Sequence, residues 1–575
     1  MVRMSIPNAA DHGARDTQAE QDAAHTPGAD TPSGLPVRSR QRFLRMMGGV
    51  GGALLAAGSA PSALAARNRV SSDASGAQEV TLAVFQNPDS LDPAATGLIT
   101  SGQIISNVFD PLVWRLPING AQRYYPGLAA SFHVSSDATT YTFKLRKGVT
   151  FHDGTALDAH AVKVTFDHIV NPATKSRSAA GALGPYKETR VLDAHTAQIV
   201  FSQPNAAFLE EMTGDTFGIT SPTALARYGS EYGRHPVGTG PFMFKSWVEG
   251  QQVTLTANPH YRWGPPPLGN GRPAVLKGLT FRILPDHAAQ FNALTTREIT
   301  IAQNLNPQDV AQVLQNSAFK KYVATSTGMP YSIMVNAQKA PTNDVRVRRA
   351  LQYAADQQAI VRSLFFGLYQ PATSIFTRIT PGYSPAQHMY PHDPRKAGRL
   401  LDQAGWTMGA NGMRSKGGRP LKLQFINISG FGFDGISQLL QAQFQAIGIQ
   451  TSISDQSFPA VATTYNNGAH NLADFFYYDV SPYFVRAIFG CDEIKAGFNW
   501  EHYCNPALDR MVAQANAIVH NTRRYELYQK IGTMLMDAAV IIPIYDQRGV
   551  YVGPASMKGI VFTLNAIPLF HAVSI

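Results

Sequence analysis

From about residue 328 onward the chain alternates between strand-like and helix-like patterns, and that alternation limits the folds open to it. Tyr331–Asn336 reads as a strand. Asp344–Phe366 reads as one long amphipathic helix, with Val347, Ala350, Leu351, Ala354, Val361, Leu364 and Phe365 on its buried face. Asp393-Pro394 starts another helix, Asp as cap and Pro at the first helical position, and Gly405 ends it. Leu421, Leu423 and Phe425 alternate as a strand, Ile436–Ile447 is a helix closed by Gly448, and Ile449–Ser454 is a strand again. Strand–helix–strand repetition of this kind argues for an α/β lobe. With 575 residues in all, one hydrophobic core does not suffice, and two or three domains are expected.

The part before residue 328 is built differently. Glu79–Phe85 is expected as a first strand, followed by the turn-rich PDSLDP (88–93). Residues 104–113 read as a helix ended by Pro111. The region 122–235 is rich in hairpins, and Gln252–Ala257 is a strand. In YTFKLRKGVTFHDGT (141–155), Tyr141, Phe143 and Leu145 alternate with Thr142, Lys144 and Arg146, the period of a half-buried strand. Asp153-Gly154 is a turn dipeptide, and Asp158 can cap a helix that buries Ala161, Val162, Phe166, Ile169 and Val170. The short strands VIIPIYD and GVYV at the end of the chain are expected to return to the first lobe.

The net charge of +10 is spread along the chain. No dense block of Lys or Arg suggests a nucleic-acid arm, so no nucleic-acid partner is expected. Residues 1–36 are polar, Ala-rich and aperiodic and read as disordered. RSRQRFLR (38–45), the short apolar segment 46–60 and Ala63-Leu64-Ala65 together form a secretory signal with cleavage before Ala66. It resembles a twin-arginine signal in which Gln41 replaces the second arginine, so the export route stays open between that and the general secretory one. No Cys lies near the cleavage site, so no lipid anchor is expected, and the product should be a soluble monomer outside the cytoplasm. In such an oxidising compartment Cys491 and Cys504, the only two cysteines, are expected to form a disulfide. A zinc site is the alternative, with His502 and acidic neighbours as further ligands.

No constellation with catalytic spacing emerges. His152, His160 and His168 recur every eight residues, but within one helix eight residues rise about 12 Å. Zinc–nitrogen bonds are about 2.0 Å, so His160 and His168 cannot share one ion. His388 and His392 have helical ligand spacing, yet Pro391 lies between them. GTGPF (238–242) and GNGRPA (269–274) lack the sequence and context of phosphate-binding loops. No metal site, cofactor or enzymatic activity is expected.

Several of these stretches match as a set. PDSLDP, VFDPLV (108–113), 126–162, VGTGPF (237–242), NPHYRW (258–263), DVRVRRALQYAAD (344–356), AGRLLDQAGW (397–406) and IIPIYD (541–546) occur in this order. The chain resembles the extracytoplasmic solute-binding proteins of peptide-type ABC transporters, family 5, which includes oligopeptide, dipeptide and nickel binders. The resemblance implies an α/β fold of two lobes, the type II periplasmic-binding-protein fold with an extra subdomain in lobe one. It further implies a peptide or small-molecule solute and membrane permease subunits as partners. The corresponding divisions are 66–121, 236–327 and 547–575 for lobe one, 122–235 for its inserted subdomain, and 328–546 for lobe two. By the family pattern His152-Asp153 is a structural turn.

Peptide-binding members of the family carry an aromatic residue, an Asp three positions later and a nearby Pro in the second lobe. Phe476, Asp479 and Pro482 of ADFFYYDVSP (473–482) fit, with Asp479 expected to meet a ligand's ammonium and Phe476, Tyr477 and Tyr478 to pack on it. A buried strand followed by an Asp-initiated turn explains the same residues without a ligand. Close dipeptide binders hold the carboxylate with an Arg between the preceding strand and helix, whereas INISGFGFDG (426–435) has none. Longer peptides or other amine-bearing solutes are therefore expected. A non-peptide solute on the same fold (nickel chelate, haem, opine or oligosaccharide) is the alternative, and a secreted hydrolase a remote one.

Overall fold

The computed structural model describes residues 79–303, 305–384, 390–429, 434–495 and 497–575. The leader and export segment lie outside these residues, as do His388 and positions 430–433 of INISGFGFDG. Among the described residues no helix is long and apolar enough to cross a membrane.

The chain beyond residue 328 folds around a five-stranded sheet in the order Gln450–Gln456, Lys422–Ile428, Leu472–Tyr478, Gly328–Val335, Ile541–Tyr545. The first three strands are parallel, and Gly328–Val335 runs antiparallel to both its neighbours. Every residue of Gly328–Val335 is buried, as a central strand covered on both faces requires. The long helix expected over 344–366 is two helices, Val345–Ala354 and Gln357–Phe365. Ala355 turns to ψ 119°, and the Asp356 carboxylate accepts from Ala359 N at 2.8 Å, capping the second helix. The apolar period runs through the break because Val347, Leu351, Ile360 and Val361 all enter one core.

Three of the six further sheets among the described residues frame the rest. Glu79–Val84, Gly278–Ile283, Gln252–Ala257 and Phe242–Val248 form one, in that order. Ala302–Gln303, Arg548–Pro554 and Phe319–Thr325 form a second, so a strand near the end of the chain pairs with strands some 230 residues earlier. Ala129–Val134, Thr140–Leu145, Thr196–Phe201 and Tyr186–Asp193 form an antiparallel third sheet with its own core. The helix expected over 104–113 instead spans Ile99–Val108. The chain becomes extended at Phe109, which leaves Asp110 and Pro111 beyond the helix end.

Two short crossings join the five-stranded sheet to the three-stranded one. Phe319–Thr325 leads into Gly328–Val335, and Ile541–Tyr545 into Arg548–Pro554. The crossings lie side by side, with Ser326 N donating to Gln547 O at 2.9 Å. A pair of short adjacent links is a geometry suited to hinge motion, because few dihedrals need to change.

The 141–155 stretch is strand, turn and helix approach. Gly154 N donates to Phe151 O at 3.0 Å, Gly154 takes φ +84°, and the Asp153 carboxylate accepts from Thr155 N at 2.9 Å and Ser221 Oγ at 2.6 Å. The His152 ring nitrogen Nε2 lies 2.9 Å from Gly240 O. Burial pushes its imidazole down to about 4, against the opposing pull of that carbonyl, so the ring is neutral at physiological pH. The glycines of GTGPF serve close packing: a Cβ at Gly238 would lie 2.2 Å from Val108 O, and one at Gly240 2.7 Å from the same carbonyl. His160 and His168 share the helix Ala159–Val170, and His168 Nε2 pairs with Asp92 at 2.8 Å. His392 lies just before the helix Pro394–Gln403 rather than within one. No group of three His, Cys, Asp or Glu among the described residues is arranged to hold a metal ion.

Candidate functional site

The aromatic run ends the strand Leu472–Tyr478, and its residues divide between the two faces as strand geometry demands. Phe475 and Tyr477 face Phe498, with ring centroids 5.7 and 6.1 Å away. Phe476 and Tyr478 lie edge to face at 5.6 Å on the other side. Phe476 is only 3% exposed and belongs to the core, so the half-buried Tyr477 and Tyr478 have more surface to offer a ligand. The Tyr478 hydroxyl donates to Gln547 Oε1 at 3.1 Å, in the second crossing. Burial drives its phenol well above the ordinary range, so it stays a neutral donor.

Asp479 follows at the strand end and is half-buried. Its Oδ1 accepts from Ser481 N at 2.9 Å, the Asp-initiated turn foreseen from sequence. The neighbouring strand comes very close here. Gly328, at φ +112°, approaches so tightly that a Cβ would sit 2.1 Å from Tyr477 O and 2.8 Å from Asp479 N. Only glycine fits, both for space and for its positive φ.

Phe476, Tyr477, Tyr478 and Asp479 line a cavity of about 530 Å³, within the range of small-ligand sites. Its other walls come from residues 169–184 and 211–217, on the side of the four-stranded antiparallel sheet that holds Thr140–Leu145, and from residues 480–487. The charged lining residues are Lys175, Arg177, Glu211, Asp479, Arg486 and Glu493. Arg486 is engaged by Glu493 at 2.7 Å and by Asp492 at 2.5 Å, and Arg177 by Asp89 at 3.3 Å. Ligand-binding roles in the aromatic run were expected from the sequence; Lys175, Arg177 and Glu211, some 270–300 residues earlier, were not. The alternation of a strand carries no information about which distant segment will face it.

Cys491 and Cys504 are joined by a disulfide. The closed loop carries Glu493 to the cavity and places Phe498 and Trp500 against Phe475. Asn499 braces it, donating to Gly490 O at 2.9 Å and Tyr503 O at 2.8 Å. His502 is engaged by Tyr465 O at 2.7 Å.

The family description "Bacterial extracellular solute-binding proteins, family 5 Middle" matches residues 123–492. The dipeptide-binding protein of Escherichia coli K12 is 26% identical over 488 residues, covering 79% of this chain and 86% of that protein. The glutathione-binding protein GsiB of Shigella flexneri serotype 5b is 29% identical over 471 residues, covering 79% and 87%. Among solved structures, NikA from Brucella suis in complex with Fe(III)-EDTA superposes with a TM-score of 0.76 at 23% identity, covering 86% of this chain and 99% of that one. The fold is thus the α/β two-lobe fold of the type II periplasmic binding proteins, and the chain belongs to the bacterial extracellular solute-binding proteins of family 5.

Proposed function

We propose that the cavity beside Asp479 captures amine-bearing solutes, peptides first among them, for the ABC importer of which this protein is the periplasmic substrate-binding component. The protein hands its solute to membrane permease subunits and is a binder, not an enzyme. The observation that carries the ligand class is a carboxylate at the rim of a 530 Å³ cavity walled by aromatic rings. A charge-assisted hydrogen bond from an ammonium there is worth roughly 1.5–3 kcal/mol. Tyr477 and Tyr478 supply flat apolar surface beside it. Relatives named for a dipeptide and for glutathione, both amine-bearing, support the same reading. The solute extends beyond a strict dipeptide, since no Arg stands in residues 426–435 to grip a nearby carboxylate.

Within this reading residues 122–235 are a subdomain inserted in lobe one, and 328–546 form lobe two. The leader is an export signal of twin-arginine-like or general secretory type, removed after Ala65.

Native mass spectrometry of protein recovered from the periplasm tests both points. It reads the mass of the chain from Ala66 and of any solute carried with it. Asp479→Asn keeps an oxygen for the Ser481 turn but removes the charge. It should weaken an amine-bearing ligand by about tenfold or more while the ligand-free melting temperature barely moves. Unchanged affinity in calorimetry returns Asp479 to a purely structural turn, and a co-purified solute without an amine overturns the ligand class.

A further inference from the structure

Outside the cavity, one buried carboxylate spans the cleft. Glu210 lies on the short helix Phe208–Glu211 and has no exposed surface. Its Oε1 accepts from Arg524 Nη2 at 2.7 Å and from the Tyr525 hydroxyl. Its Oε2 accepts from Ser481 Oγ at 2.8 Å. Arg524 and Tyr525 sit on the helix Asn521–Ala538, and Ser481 follows Asp479 by two residues. On the Glu210 side, Arg115 from the strand Val113–Ile118 stands 3.9 Å from the same carboxylate. Arg115 also reaches across, donating to Val480 O at 3.0 Å. A second bridge lies alongside: Asn516 accepts from Ala206 N at 2.8 Å through its carbonyl and from Ala207 N at 3.0 Å through its side chain.

The charges in this cluster do not cancel: two guanidinium groups share one carboxylate. Arg115 and Arg524 are 5% and 3% exposed, so closing the lobes takes both out of water. Burial alone would raise the Glu210 carboxyl, but Arg524 and then Arg115 hold it below the usual range, so it stays ionised. A buried ion cluster gains little over its solvated parts, whereas the same cluster missing one partner is strongly unfavourable. The closed form therefore depends on Glu210, while the open form, where the arginines are hydrated, does not.

We infer that Glu210 is the closure-specific counterion of this protein. It licenses lobe closure by offsetting the charge of Arg115 and Arg524, and positions the Val480–Ser481 segment behind Asp479 as it does so. The role holds whichever solute fills the cavity, so it stands or falls independently of the amine assignment. Glu210 is a positioning residue, and its removal shifts the open–closed equilibrium rather than deleting a ligand contact.

The test uses the full exported protein with the solute it carries, and spin labels at exposed positions 191 and 408, one on each side of the cleft. Pulsed dipolar spectroscopy reads the distance distribution. Glu210→Gln should lose the short, closed-state distance in favour of a longer one. Glu210→Gln combined with Arg524→Gln, which removes charge from both sides, should restore part of the short distance. A purely structural role predicts no such rescue. A single variant that keeps the wild-type distribution overturns the inference. A Glu210→Gln protein that fails to fold and is not rescued by the second substitution overturns it as well.

Discussion

Trp263 Nε1 donates to the Asp110 carboxylate at 2.9 Å, joining residues 153 positions apart. Thr239 Oγ1 and the Tyr261 hydroxyl donate to the same carboxylate at 2.9 and 3.0 Å. Three separate sequence motifs, VFDPLV, VGTGPF and NPHYRW, thus meet at one side chain. Asp110 is 1% exposed. Burial pushes its carboxyl up, and the three donors oppose that rise without reversing it.

Asp110→Ala leaves those three donors buried without their acceptor. At roughly 1–3 kcal/mol for each unsatisfied group, with some relaxation, the expected loss is ~3–5 kcal/mol. Differential scanning calorimetry should show a melting temperature lower by roughly 3–5 °C. Solute affinity of the folded fraction should hold, since Asp110 does not line the cavity. A melting temperature within a degree of wild type would mean the motifs are held together by packing alone.

A second carboxylate makes stability depend on pH. Asp474 lies in the strand Leu472–Tyr478 with no exposed surface. It accepts from Ile428 N at 2.9 Å, Tyr465 at 3.3 Å and Tyr331 at 3.4 Å. Burial outweighs these bonds and pushes its carboxyl up to about 7 from 3.8. A raised folded-state value means the stabilising, protonated form is fully present below about 4 and is lost as pH rises through about 7. At about 1.4 kcal/mol per pH unit, the loss is up to ~4 kcal/mol. Asp474→Asn should flatten the stability profile between pH 4 and 8 and melt higher than wild type at pH 8. An unchanged slope would shift the origin to Glu501, whose fully buried carboxyl is also pushed well up.

Much of the scaffold was legible because local rules acted alone. Asp158 caps its helix by accepting from Ala161 N at 2.9 Å, and Asp393 caps Pro394–Gln403 in the same way. Gly405 and Gly448 take the positive φ that ends a helix. The 344–366 stretch holds two helices under one apolar period because periodicity reports the buried face, not continuity; Asp356, three residues before Ala359, is the available sign of a restart. The helix ends at Val108, short of 113, because a proline marks only where a helix cannot continue; Asp110, beyond its end, meets Trp263. The site was legible only in part. Asp479 and its aromatic neighbours stood out through a family pattern, but Glu210 in AAFLEEMTG has the local pattern of an exposed helical acid. Its burial is set by Arg524, 314 residues away, a contact no local rule contains. The adjacent acids inside an apolar stretch were the one available hint.

The disulfide offers the last test, because it joins the compartment to the site. Cys491 and Cys504 close a loop of thirteen residues' separation, and in the chain-entropy account such a closure contributes about 3 kcal/mol by restricting the unfolded chain. That loop brings Glu493 to the cavity and Phe498 and Trp500 to the back of the aromatic strand. The double substitution Cys491→Ser, Cys504→Ser should therefore lower the melting temperature of periplasmic protein measurably and leave secondary structure intact. Adding a reductant should bring wild type down to the variant's value, and protein made in the reducing cytoplasm should start there. Peptide mapping without reductant should recover the two cysteines in one linked fragment from periplasmic material only. Two free thiols in that material, or a melting temperature indifferent to reductant, would remove the disulfide from the account of this site.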